Sequence, residues 1–221
     1  MNGGKVVWIF RGIIGKLLFT TEEKNEFIQN EPNSEKWFKK LLSAHEFLNG
    51  KERWCLWLEG IKPSEILAML LVAKRVEELK EIRLKSSRPQ LADIPHLFAQ
   101  ITQPVNKGFI LIPAHSSENR DYIPMGYFDS NHKANNSCFI VATDDIYIFG
   151  ILTSKIHMDW MRYVCGRLKS DYRYSNEIVY NNFPFPLEAS DKQKEGIERL
   201  AQAILDARAE FPDSSLTDLY N

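Results

Sequence analysis

The chain has 221 residues, 44% of them hydrophobic, with 10 Pro and 11 Gly, enough to bury an ordinary globular core and too apolar for a disordered tract. Lys and Arg number 28 against 29 Asp and Glu, a formal charge of -1, which excludes the global basic field of a non-specific nucleic-acid binder and leaves any anionic partner to a local patch. Cys55, Cys138 and Cys165 are odd in number and far apart, which excludes a disulfide-stapled secreted domain and points to the reducing cytoplasm.

At the amino terminus the apolar run of Met1–Phe10 is too short for a signal peptide, and nowhere do roughly 18 apolar residues follow one another, so no membrane segment is expected. Within it, Lys5–Phe10 is β-branched and aromatic up to Arg11-Gly12 and predicts a short strand. Thr20-Thr21-Glu22-Glu23 has the spacing of a capping box and predicts a helix toward Gln29, ended by Pro32. Asn49-Gly50 lies between Glu46-Phe47-Leu48 and Arg53–Leu58, two strand-like runs, and predicts a hairpin. Ser64–Lys85 turns helical, with Ile66, Leu67, Leu70, Leu71, Leu79 and Ile82 as the apolar side and a charged, solvated face opposite. Phe109–Ile112, Tyr122–Phe128, Cys138–Thr143 and Ile146–Phe149 read as four strands between polar connections. Ser154–Cys165 reads as a helix closed by Gly166 at C′, and Ser190-Asp191-Lys192-Gln193 caps a last helix that runs to about Phe211-Pro212. The class is therefore α+β, a mixed or antiparallel sheet with flanking helices.

Common catalytic templates are absent: there is no glycine-rich nucleotide loop, no His-Glu-x-x-His and no Gly-x-Ser-x-Gly. His45, His96, His115, His132 and His157 are too scattered for a compact zinc site, and Cys165 reads as a structural thiol. Residues 115–186 stand out instead. Hydroxyls, Glu118 and Arg120 precede one strand, Asn135-Asn136-Ser137 precedes another, and Arg167, Lys169, Asp171 and Arg173 occupy every second position. If that stretch is extended, the four share a side, with Leu168, Tyr172 and Tyr174 opposite. A solvated strand face is the plain alternative, yet Arg and Lys suit guanine O6 and N7, Asp suits the cytosine amino group and Asn suits adenine. Lys155, Arg162, Arg167, Lys169 and Arg173 against Asp159 and Asp171 add a local basic excess suited to phosphates.

The runs Leu152–Trp160, Gly166-Arg167-Leu168 with Tyr172–Ser175, and Val179–Pro186 closely resemble the target-recognition region of MmeI-like enzymes. The resemblance extends to Arg53–Leu58, Ser116–Pro124 and Pro212–Tyr220, and so spans nearly the whole chain. These single-chain type II restriction-modification proteins join a nuclease, an adenine-specific DNA methyltransferase and a DNA-reading domain. The resemblance implies a DNA target-recognition domain over residues 1–188 and a C-terminal helical segment over 189–221, the start of a region that continues in relatives. It implies base-reading roles for Lys169, Asp171, Arg173, Asn136 and Ser137, with Glu118 and Arg120 near another reading position. Lys155, Arg162, Arg167 and His157 are expected at the DNA backbone. Trp54, Trp57, Trp160, Phe183 and Phe185 are read as packing residues. The glycine-rich cofactor loop and the Asn-Pro-Pro-aromatic motif do not occur, so S-adenosylmethionine and Mg2+ are expected only for a parent enzyme. The expected partners are double-stranded DNA and the methyltransferase domain, and the alternative is a protein-interaction or scaffold module within such an enzyme.

Overall fold

Thr20 has the extended backbone of an N-cap; its hydroxyl accepts from Glu23 N while the Glu23 carboxylate accepts from Thr20 N, so α1 (Thr21–Asn30) begins as a complete capping box. The structure, a computed structural model, describes residues 15–221 except 100, 102, 105 and 187; the strand expected at Lys5–Phe10 lies outside them. After α1, a 3-10 turn at Pro32–Trp37 leads into β2 (Phe38–Leu42). This strand lies in a four-stranded sheet with β1 (Leu18–Phe19), β3 (Trp54–Leu56) and β7 (His132–Ala134), in the order β1-β3-β2-β7. Only the β2–β7 pair is parallel among its ladders. Phe19, Phe27 and Phe38 meet edge to face beneath it, with ring centroids 4.9 to 5.8 Å apart, the arrangement that their quadrupoles favour.

The hairpin expected at Asn49-Gly50 is instead a helix end. Residues Ala44–Leu48 form α2, capped by the Ser43 hydroxyl. Gly50 takes φ 60° just past it, and Lys51 N donates to Glu46 O at 2.9 Å, the 6→1 bond of a Schellman close. A glycine at positive φ serves a tight hairpin and a helix C′ equally well, which is why the dipeptide misleads.

The long helix expected over Ser64–Lys85 is two helices, α3 (Pro63–Ala68) and α4 (Leu70–Leu84), broken at an extended Met69. The Glu31 carboxylate accepts from Leu71 N and Val72 N, so a distant acid caps the free amides of α4 and favours its dipole. The break rotates the stripe. Met69, Val72, Val76 and Leu79 are buried, while Leu67, Leu70 and Ile82, expected inside, are exposed. Arg83 is fully buried and donates to the Leu91, Ile94 and Leu97 carbonyls, which folds the 3-10 segment Pro89–Asp93 and its exit onto α4.

Every residue of β4 (Phe109–Pro113) is buried. It is the middle strand of an antiparallel sheet, β6-β4-β8, with β6 (Gly126–Phe128) and β8 (Cys138–Val141). The fourth expected strand, Ile146–Phe149, is helix α5 (Ile146–Leu152), whose N-cap Asp145 accepts from Tyr147 N. A four-residue apolar run carries no period that separates strand from helix, and here the cap decides. Next, α6 (Lys155–Val164) is capped by Ser154 and buries His157, Met158 and Met161, while Ile156 is exposed. Gly166 follows the C-cap Cys165 and so stands at C′ as expected, but its φ is not positive and it opens a strand.

Helix α7 (Asp191–Ala209), with a Ser190–Gln193 capping box, lies on α5. A Cβ at Gly150 would sit 2.6 Å from Ile197 Cγ2, so glycine permits this close crossing. Arg208 donates to Met125 O at 2.7 Å and also bonds the Tyr220 hydroxyl of α8 (Leu216–Tyr220). The architecture is α+β, as expected, with mixed and antiparallel sheets and helices outside them. No helix among the described residues is long and apolar enough to cross a membrane.

Candidate nucleic-acid interface

The alternating stretch is a hairpin. β9 (Gly166–Leu168) turns at Lys169-Ser170 into β10 (Asp171–Arg173), and β5 (His115–Ser116) adds a third antiparallel strand in the order β5-β10-β9. Lys169 stands at the turn with φ 56°, a left-handed conformation that costs a lysine energy. The turn resets the alternation. Arg167 pairs with Tyr172, Leu168 with Asp171 and Gly166 with Arg173, and directly paired residues share a face.

Asp171 and Arg173 therefore share their face with Leu168, while Arg167 falls on the other side. Its guanidinium lies 4.0 Å from the Tyr172 ring centroid and donates to Ser170 O, so it braces the turn. On the inner face of the small sheet Ser116 and Tyr172 are buried while Arg167, at its edge strand, stays exposed, and the outer face carries exposed groups.

Backbone hydrogen bonds bring the other sequence-predicted segments alongside. Ala114 N donates to Ser137 O at 2.9 Å, and Tyr174 N donates to Ala114 O at 3.0 Å. The loop of Asn136 thus runs beside the strand end next to Arg173. On the far side, Glu118 N donates to Asp171 Oδ1 at 3.3 Å. Glu118, Lys169, Asp171 and Arg173 are exposed and Asn136 is half-buried. Of these, the side chains of Glu118, Lys169, Arg173 and Asn136 have no partner among the described residues.

Other expected site residues have structural duties. Ser137 Oγ accepts from Ala44 N at 2.7 Å and donates to Asn135 Oδ1. Arg120 is 7% exposed and its Nε donates to Asn221 Oδ1; burial lowers its pKa, with Asp171 opposing that shift. Arg162 donates to Asp121 O at 2.8 Å and shares Asp159 with Lys155. The hydrogen bond from Lys155 leads the lowering of the Asp159 pKa. Of the pair, Lys155 is the exposed cation.

His157 is turned inward, contrary to the expectation of a phosphate contact. It is 1% exposed, its Nε2 is 3.0 Å from the Tyr174 hydroxyl, and Phe183 meets it edge on. Burial pushes its pKa down to about 4. Trp57 and Phe183 are buried in packing positions, Trp54, Trp160 and Phe185 are partly buried against the same cores, and Trp160 Nε1 donates to Val179 O.

His115, absent from the expected readers, pairs with Arg173 across β5–β10 and is exposed. Its signal in the sequence was slight, since only strand pairing brings it 58 positions along the chain to Arg173.

No group of three or more His, Cys, Asp or Glu among the described residues is arranged for a metal. Burial raises the Cys55 and Cys138 thiols to about 12, which makes them poor nucleophiles. A cleft of about 780 Å³ between α1 and α4 is lined by acidic and basic chains such as Glu26, Glu31, Lys74 and Arg75.

An open, charged hairpin sheet on an α+β body defines a recognition module, with chemistry displayed on a surface. Residues 12–187 match the family model described as MmeI, target recognition domain, and residues 189–221 match MmeI, C-terminal domain. The chain belongs to the MmeI target-recognition-domain family. It is 40% identical over 210 residues to DNA methyltransferase A of Bacillus subtilis (strain 168), covering 94% of this chain and 24% of that protein. It is also similar to the solved structure of the type IIL restriction-modification enzyme MmeI in complex with DNA, at a TM-score of 0.89 and 45% identity, covering 100% of this chain and 30% of that one. The chain thus spans about a quarter to a third of the length of these relatives.

Proposed function

We propose that the chain is the sequence-specific duplex DNA recognition module of a restriction-modification enzyme with adenine-specific methyltransferase and endonuclease activity, working in the cytoplasm. The observation that carries this reading is the outer face of the hairpin sheet, where Asp171 and Arg173 stand exposed beside Lys169, Glu118 and Asn136. Asp accepts from cytosine N4, Arg and Lys donate to guanine O6 and N7, and Asn bonds adenine, so the group matches base edges in the major groove. Lys155 supplies a backbone contact that sets register without reading sequence. Ser137, Arg120, Arg162 and His157 act behind this face by holding the segments that bear it, while the exposed Arg167 braces the turn and joins Lys155 at the DNA backbone. Division at residue 188 gives a recognition domain and, from 189, residues of a C-terminal domain. Methyl transfer with S-adenosylmethionine and Mg2+-dependent cleavage belong elsewhere in the enzyme, whose methyltransferase domain is the other partner.

The test is selection of bound duplexes from a randomised pool, followed by titration of the selected site at several salt concentrations. A defined motif is expected, with a logarithmic salt slope of roughly -0.9 per phosphate neutralised. Calorimetric titration with S-adenosylmethionine is expected to give no saturable heat. A second reading, a protein-interaction module, rests on Leu67 and Leu70, which are 73% and 77% exposed at the α3–α4 break. It predicts partner binding that changes little with salt and no enriched motif.

A further inference from the structure

Across the outer face of the hairpin sheet runs a row of three residues, His115, Arg173 and Gly166, because Arg173 pairs with His115 on one side and with Gly166 on the other. All three are exposed. Directly paired residues of an antiparallel ladder hold their side chains about 4.5–5.5 Å apart at Cβ, so the His115 ring and the Arg173 guanidinium emerge side by side. Neither side chain has a partner among the described residues.

Gly166 is the unexplained member. Its φ is not positive, and a Cβ built on it meets nothing within 4 Å. Neither backbone conformation nor packing requires glycine, although glycine in a strand weakens it. What glycine does supply is a notch beside Arg173, on the side away from His115, where another surface can approach the sheet closely.

We propose that His115 is a further specificity-determining residue, reading one base pair together with Arg173, and that Gly166 provides the clearance that lets the duplex reach them. The inference rests on the DNA-recognition reading. Imidazole nitrogens offer a donor or an acceptor to a base edge, and the guanidinium beside them donates to guanine O6 and N7. Ala114, which precedes His115, is bonded to both Ser137 and Tyr174, so the backbone that carries the ring is held from two sides.

The experiment selects duplexes from a randomised pool with the wild-type chain and with His115→Ala, His115→Asn, Arg173→Ala and Gly166→Val. Circular dichroism and thermal melting run alongside. His115→Ala is expected to lose about tenfold discrimination at one motif position, the position that Arg173→Ala also degrades, and to keep the others. His115→Asn is expected to alter the preferred base there, and it carries the test should alanine loosen the sheet edge. Gly166→Val is expected to melt no lower than wild type and to bind the selected site at least tenfold more weakly. A motif unchanged by both His115 variants overturns the assignment of His115, and undiminished binding by Gly166→Val overturns the clearance. If the wild-type chain enriches no motif, DNA reading itself fails and this inference falls with it, an outcome distinct from the other two.

Discussion

Lys169 and His157 are both held in unfavourable states, one through its backbone and the other through burial of its ring. At φ 56° the lysine sits where glycine would be relaxed, so Lys169→Gly is expected to raise stability by about 1 kcal/mol while reducing base discrimination. Chemical denaturation paired with motif selection checks both halves. His157 is a buried neutral imidazole whose pKa is pushed down to about 4. The unfolded chain takes up its proton near pH 6.5, before the folded chain does. This contribution to stability is therefore complete above pH 6.5 and lost as the pH falls toward 4. Between pH 7 and pH 4.5 the loss from this residue is about 2–3 kcal/mol. Urea unfolding at the two pH values should show a wild-type difference larger by that amount than the difference for His157→Phe. Equal differences would mean that the imidazole is hydrated in solution.

At the scale of elements, hydrogen-bonded ends were easier to foresee than faces. Thr20–Glu23, Ser154 and Ser190–Gln193 announce their helices because each cap is local, a hydroxyl and an amide within three residues. Expectations missed where a signal fits two structures, comes from afar or hides a turn. Asn49-Gly50 closes a helix, Glu31 breaks the 63–84 helix from 40 residues away, and a two-residue turn at Lys169-Ser170 reverses the parity of the stretch expected to be extended. Of the candidate site, residue types and segments were legible; which side chains face outward was not. Pairing across strands put His115 beside Arg173 and took Arg167 to the inner face, and burial withdrew Arg120 and His157. Arg83 shows how much one non-local bond set can organise. Replacing it by methionine leaves the Leu91, Ile94 and Leu97 carbonyls without their donor, so Arg83→Met is expected to cost about 3–5 kcal/mol. Hydrogen exchange should show protection lost first across residues 89–98.

For the whole molecule, the decisive contact joins helix α7 to the body that carries the hairpin. Ala201 of α7 is buried in the same apolar cluster as Ile110, Phe149, Tyr172 and Tyr174, and Gly150 lets α7 lie close on α5. Alanine for glycine inside a helix ordinarily stabilises by up to about 1 kcal/mol. Here the added methyl meets Ile197 Cγ2 at 2.6 Å and Ile197 O at 3.2 Å, so Gly150→Ala is expected to destabilise by about 1–3 kcal/mol. Differential scanning calorimetry gives the sign directly. An increase in melting temperature would show that α7 can slide without loss.

The two faces of the hairpin sheet also divide where substitutions are expected to be tolerated. Tyr172 and Ser116 point into the body and Tyr174 continues that buried side, whereas Asp171, Arg173 and His115 point away from it. New side chains on the outer face are expected to leave the core intact. A saturation library across 166–174, sorted only for folded protein, would then show tolerance alternating from one residue to the next along β10, with a phase jump at the turn.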